Sequence, residues 1–435
     1  MSQRRPEAKT PGLPFHLSQR APAGFRIAAP LRPKQRVRVS ILVFNAGSSS
    51  LKFGRFDVAA ETSGLSGQFD WAGGDRGQAR CTVRTPGSGE RCSIVALPDD
   101  RAAVAEALRH VATGSAVRLV AHRVVHGGVE FGVGARIDAA VKTAIARLAE
   151  VAPLHNPPAL AAIEAAETLL PGVPQVAVFD TAFFARLPLR AALYPLPFEW
   201  HERFGVRRIG FHGISNAWCA ARAAAMLGRD PFGLRLITCH LGGGCSATAV
   251  RDGGPVATTM GFSPLEGLMM GTRCGSVDPG ILMHLLRRCG LSAEELESAL
   301  NHRSGLLGVS GLSPDLAQIE AAAAGGHERA RLAFDLFADR VRAAIGALAV
   351  TLGGADALVF TDRVGEGSPA LRAAACRGLE CLGARLDPDR NAVAQPDADV
   401  AAADSTMRIL VIHTEEERWI AREAARIAGL AADAR

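Results

Sequence analysis

Residues 37–56 read VRVSILVFNAGSSSLKFGRF, and this stretch decides the architecture. VRVSILVF at 37–44 is a β-branched run that reads as a buried strand. The small residues at 45–50 follow as a tight turn, and 51–56 reads as the returning strand. The same grammar recurs about 195 residues further on. There 236–240 is a strand, LGGGCS at 241–246 a turn, and 247–250 a second strand. A further strand at 357–360 runs into the glycine-containing loop TDRVGEGS at 361–368. Two strand–turn–strand units in one chain point to an internal duplication. Ala-rich helical stretches separate them at 139–151, 158–169 and 215–227, with further helices expected at 278–288, 292–301 and 327–352. The chain closes with a strand at 407–412 and a helix at 415–430. Alternating strands and helices predict an α/β fold.

Composition narrows the function classes. The chain has 435 residues, 48% hydrophobic and 21% charged, which suits two or three globular domains. The most apolar stretch, 343–360, is interrupted by Gly346, Gly353, Gly354 and Asp356, which argues against a membrane span. The net charge of +6 is a property of one end: residues 1–40 hold nine Arg or Lys and one Glu. The body carries a slight acidic excess, so nucleic acid is not an expected partner. Residues 1–35, with six prolines, read as a disordered basic tail. The nine cysteines form no CxxC pair and read as free thiols of a reducing, cytoplasmic compartment.

Glycine- and serine-rich turns leave backbone N–H groups uncovered, and two facing each other can cradle a polyphosphate. Neither turn fits the P-loop pattern. Candidate chemistry clusters at Gly- or Pro-bounded strand ends: HRVVHGG at 122–128, PLHNPP at 153–158, VAVFDT at 176–181, RRIGFHG at 207–213 and MGFSPLEGLMMGTRCG at 260–275. Open α/β sheets bind ligands at such ends. Two guanidiniums can clamp a carboxylate and a transferring phosphoryl group. A His can donate to an equatorial oxygen in the transition state, and an Asp can hold an Arg.

These segments, in this order over residues 36–433, resemble the acetate kinases of the acetate and sugar kinase/Hsc70/actin superfamily. The resemblance implies two duplicated RNase H-like (actin-like ATPase) domains around a hinged cleft: 36–182, joined by the C-terminal helix 418–435, and 183–417. It implies phosphoryl transfer from ATP to acetate, giving acetyl phosphate and ADP, with Mg²⁺ or Mn²⁺, in a homodimer. It makes Arg123 and Arg273 the anion clamp, Asp180 the catalytic carboxylate, His212 the transition-state stabiliser and His155 its assistant. Val125, Leu154, Phe211 and Pro264 match the pocket for the acyl methyl, and Asn45 and Glu416 the metal-linked positions. Ser48, Ser50 and Lys52 match the first phosphate loop, and His240, Leu241, Gly242, Gly243 and Gly244 the second. Asp315, Leu316 and Ala317, with Arg363, Val364, Gly365, Glu366 and Gly367, match the nucleotide segments.

Departures from the family pattern gather on the donor side. Gly243 stands where Asn is usual, Ala317 where Arg is usual, and Arg363 where Gly is usual. Three readings therefore stay open: an ATP-dependent acetate or propionate kinase, a same-fold kinase with another nucleotide or pyrophosphate as donor, and a non-catalytic ligand-binding homologue.

Overall fold

The computed structural model describes residues 40–47, 50–57, 63–71, 77–111, 116–153 and 155–430. The expected tail at 1–35, Ser48 and Leu154 lie outside the described residues.

Two sheets carry the fold. The first is built from β1 (Ser40–Ala46), β2 (Ser50–Asp57), β3 (Ser63–Asp70), β4 (Gln78–Thr85), β5 (Gly89–Ala96), β6 (Val117–Val124), β7 (Ala135–Arg136) and β8 (Gln175–Phe179). Its strand order is β5-β4-β3-β2-β1-β6-β8-β7. The second is built from β9 (Arg235–Leu241), β10 (Cys245–Arg251), β11 (Gly254–Thr258), β12 (Ala357–Thr361), β13 (Ala398–Asp399) and β14 (Arg408–Val411). Its order is β11-β10-β9-β12-β14-β13. In both sheets an antiparallel meander leads into a central strand followed by two parallel neighbours. These are β1 beside β6 and β8, and β9 beside β12 and β14. A short antiparallel strand then closes the parallel edge of each sheet, β7 in one and β13 in the other. The repeated grammar of the sequence is thus a repeated topology, and the fold is the RNase H-like, actin-like ATPase architecture.

The central strands β1, β8, β9 and β12 are buried because helices cover both faces of each sheet there, whereas β5 at the far edge of the first sheet is exposed. Helices Gly213–Leu227 and Glu416–Ile427 lie between the sheets. Their Ala217, Ala220 and Ala424 join one core with Ile41, Val43 and Val178 of the first sheet and Leu236, Val359 and Leu410 of the second. Alanines at these positions let helix and strand backbones approach closely. The C-terminal helix packs on β1, β6 and β8, far from it in sequence. Helices Asp100–Val111 and Asn156–Leu169 cover the outer face of the first sheet, and Glu328–Leu352 that of the second.

Helix ends follow local chemistry. The helices expected from 278, 292 and 327 begin one residue later, because Asp278, Ser292 and His327 are N-caps whose side chains accept backbone N–H groups. The helix expected from 158 already begins at Asn156, since Pro157 and Pro158 fit the first turn, where a missing N–H costs nothing. The stretch 139–151 ends its α-helix at Arg147 and tightens into a 3₁₀ turn, Leu148–Glu150. The loop at 361–368 winds into a short helix, Asp362–Gly367, whose Glu366 carboxylate accepts the Asp362 N–H at 3.0 Å. All nine cysteines are free. Among the described residues no helix is long and apolar enough to cross a membrane.

Candidate active site

Parallel pairing brings the carboxyl ends of β1, β6, β8, β9 and β12 to one cleft. Asn45 and Arg123 face each other in register on β1 and β6. Asp180 directly follows β8 and is wholly buried. Its Oδ2 accepts from Arg123 Nη2 at 3.1 Å and from the His212 N–H at 2.9 Å. Its Oδ1 accepts from the Ile214 N–H at 3.1 Å. Those N–H groups open helix Gly213–Leu227, so the carboxylate sits at the positive end of a helix dipole. His212 adopts a left-handed φ of 60°, a conformation that costs a non-glycine residue about 1–2 kcal/mol.

A cavity of about 180 Å³ opens above this network. Arg123 and Arg273 line it with His155, Asp180 and His212, while Val125, Phe211 and Pro264 give it an apolar wall. The structure therefore gathers every expected clamp and acyl-pocket residue that it describes. Among the described residues the Arg273 side chain makes one hydrogen bond, from Nη1 to the Pro264 carbonyl at 2.8 Å. Burial opposes the charge on Arg123, yet Asp180, Glu416 and Glu417 more than offset this and raise its pKa. The His155 imidazole is pushed down to about 4 by burial and by Arg123 and Arg273. His212 is held well below the ordinary imidazole value by burial, and then by His240, Arg123, Arg273 and His155. Both rings are therefore neutral near pH 7. His212 Nδ1 pairs with Ser246 Oγ at 2.9 Å. When the hydroxyl donates, Nε2 keeps the proton and can donate to an anion.

The two small-residue turns lie beside the clamp. In the first, Gly47 N–H bonds the Ser50 carbonyl at 2.8 Å, and both residues line the cavity. Lys52 pairs in register with Asn45. Burial opposes its charge, but Glu417, Glu416 and Asp362 prevail and raise its pKa. In the second, a Cβ on Gly242 would overlap Asp362 Oδ2. A Cβ on Gly244 would lie 2.8 Å from Arg273 Nη2 and 3.3 Å from His212 Nε2. The second turn therefore meets Arg273 and His212 at Gly244. A Cβ on Gly243 would meet nothing within 4 Å. His240 stacks on His212 with ring centroids 4.0 Å apart, and Leu241 is buried in the core.

Farther out, Arg363 Nη1 donates to Asp315 Oδ2 at 2.7 Å. This bond lowers the Asp315 pKa. Asp315 also caps helix Leu316–Ala324 through the Ala317 N–H. Leu316 and Val364 turn their side chains into the core. Gly365 and Gly367 lie in the second half of the short helix.

Two carboxylates, Glu416 and Glu417, stand beside Asn45. Glu416 is buried, which alone would raise its pKa, but Arg123, Lys52 and His240 outweigh that and keep it below the usual range. Asn45 Nδ2 donates to Glu416 Oε2 at 3.1 Å and to Glu417 Oε1 at 2.8 Å, while its Oδ1 accepts from Arg123. Both polar ends of Asn45 are thus engaged by protein, and it orders the carboxylates. Among the described residues no group of three or more His, Cys, Asp or Glu is arranged to enclose a metal. The donor set fits a cation held at the glutamates through water.

Sequence reasoning missed Gly47, Ser215, Ser246, Asp362 and Glu417. Ser215 Oγ pairs with His240 Nδ1 at 2.9 Å, and His240 Nε2 lies 3.3 Å from Asp362 Oδ2. Glu417 was within reach, since 414–417 reads TEEE. Gly47 lies in the 45–50 turn itself, and Ser215, Ser246 and Asp362 depend on pairings between distant segments.

Known proteins supply the comparison. The sequence profile of the Acetokinase family matches residues 40–422. The acetate kinase of Cyanothece sp. is 49% identical over 399 residues, covering 88% of this chain and 97% of that protein. That of Gloeobacter violaceus is 50% identical over 400 residues, covering 88% and 98%. The crystal structure of Porphyromonas gingivalis acetate kinase superposes with a TM-score of 0.82 at 36% identity, covering 90% of this chain and all of that one. A propionate kinase from Francisella tularensis gives 0.82 at 33% identity, covering 88% and 98%.

Proposed function

This chain belongs to the acetokinase family, and from that premise we propose that the arginine-flanked cavity is where its acceptor acid is phosphorylated. The activity is that of an acetate kinase: ATP and acetate give ADP and acetyl phosphate, a phosphoryl transfer to a carboxyl group. The observation that carries the assignment of the site is the convergence of Arg123, Arg273 and His212 Nε2 beside an apolar wall.

Arg123 and Arg273 hold the acetate carboxylate, with its methyl against Val125, Phe211 and Pro264. Asp180 fixes the plane of Arg123 and the position of His212 through the bonds it accepts. One carboxylate oxygen attacks the γ-phosphorus in line. Charge that develops on the equatorial oxygens is met by His212 Nε2–H and the two guanidiniums. His155, kept neutral, lines the same cavity without adding a competing charge. Ser50, Lys52 and the Gly242–Gly244 turn cradle the polyphosphate, and Arg363 with Asp315 borders the nucleoside. The cation is read as Mg²⁺, held at Glu416 and Glu417 through water; when bound it offsets polyphosphate charge.

The assembly is read as a homodimer. Leu196, Phe198 and Trp200 are 47%, 56% and 40% exposed and share one surface depression with Leu193 and His201, an apolar patch that a second copy would cover. Nine unpaired cysteines fit a cytoplasmic location.

The direct route is tested by the stereochemical course at phosphorus, using ATP made chiral at the γ-position. A single in-line displacement predicts inversion. Retention would require a phosphorylated enzyme intermediate and would overturn the direct transfer.

A further inference from the structure

Arg372 is 0% exposed and heads the largest fully buried side chains among the described residues. A guanidinium cannot shed its proton, so burying one without a carboxylate partner is costly. Among the described residues its bonds all end on neutral oxygens. Nε donates to Asn391 Oδ1 at 2.7 Å and Nη2 to the Asn391 carbonyl at 3.0 Å. Nη1 donates to the carbonyls of Gly365 and Glu366, at 2.9 and 2.7 Å.

Those last two carbonyls belong to the final turn of helix Asp362–Gly367, where carbonyls lack helical partners and carry partial negative charge. The opposite end of that helix faces the donor side. Asp362 there holds a left-handed φ of 64°, packs over Gly242 and approaches His240. Arg363 reaches Asp315. The Glu366 carboxylate ties the helix to the chain leading toward Glu416, accepting the Thr414 N–H at 3.1 Å and pairing with His413 Nδ1 at 2.7 Å. Asn391 is itself anchored, its Nδ2 donating to the Pro369 carbonyl at 2.9 Å. Arg372 thus grips from behind a segment whose front borders the phosphate turn.

We propose that Arg372 is a positioning residue for the phosphoryl donor: it holds helix 362–367 against the 242–244 turn without touching the donor. The proposal rests on reading that cleft as the donor site. Its fork geometry is what matters, because four directed bonds converge on one rigid plane.

The test compares wild type, Arg372→Lys and Asn391→Ala. Initial rates give KM for ATP and for acetate separately, and calorimetry gives the ADP dissociation constant without turnover. Arg372→Lys keeps the charge but loses the fork. Its KM for ATP and its ADP dissociation constant should rise roughly fivefold or more, with KM for acetate within about twofold of wild type. Asn391→Ala, which removes one acceptor of the same fork, should move the same two quantities in the same direction by less. A folded Arg372→Lys with unchanged ADP affinity would overturn the proposal. So would equal rises in both KM values. If wild type itself fails to bind ADP, the donor-site reading fails instead, and the two failures are told apart.

Discussion

Arg123 and Asp180 share one ion pair, Nη2 to Oδ2 at 3.1 Å, at the floor of the cavity. The same carboxylate accepts two backbone N–H groups at the start of the next helix. Three of its roughly four acceptor sites are therefore used to orient protein groups. Asp180 links the first sheet, which supplies Arg123, to the segment that supplies His212.

Asp180→Asn should expose that dependence. An amide nitrogen in this position meets a donor on either side, from Arg123 and His212 or from Ile214. Turnover should fall about 100-fold or more, and stability by a few kcal/mol, because the buried guanidinium loses its partner. Rates and melting temperatures on the same preparation check this. Unchanged turnover would remove Asp180 from the mechanism.

Arg273→Ala should separate activity from stability. Its bond to the Pro264 carbonyl is small against the folding of the domain. Turnover should drop by about three orders of magnitude while the melting temperature moves only slightly. Near-normal turnover would sink the clamp.

The glycine turn offers a matched pair. Gly244→Ala places a Cβ against Arg273 and His212, whereas Gly243→Ala enters open space. The first should reduce kcat about tenfold or more and the second should leave it close to wild type. Equal effects would contradict the meeting of turn and clamp at Gly244.

The duplicated strand–turn–strand units were legible because β-branched runs and glycine turns are local signals. Arg123, Asp180, His212 and Arg273 were legible through the family resemblance. What escaped is non-local. Asn45 meets Glu417 across 372 positions, and no spacing in the sequence announces it. Arg363 bonds Asp315 across 48 positions, a pairing that neither segment signals by itself. The loop at 361–368 looked like a glycine turn but is helical, since Glu366 caps its own first turn.

The Arg363–Asp315 pair carries its own expectation. Arg363→Ala should raise KM for ATP severalfold and leave KM for acetate in place. Initial-rate kinetics with each substrate varied would decide. A shift in acetate KM alone would place Arg363 on the wrong side of the cleft.

Stability should fall in acid. Burial holds His122, His126 and His155 neutral down to about pH 4, against an ordinary imidazole value of 6.5. Between those values the unfolded chain binds more protons than the folded one. Stability is therefore fullest above pH 6.5 and is lost as pH falls toward 4. A melting-temperature series over that range should slope upward with pH, and His122→Asn should flatten it. A flat wild-type profile would contradict the burial argument.

The most direct measurement is acyl phosphate formation, trapped as the hydroxamate, by purified wild type and Arg273→Ala with a divalent cation and acetate, using ATP, GTP or pyrophosphate in turn. The account predicts signal from wild type with ATP and almost none from the variant. Folded wild type that forms no acyl phosphate with ATP, or forms it only with another donor, would contradict it.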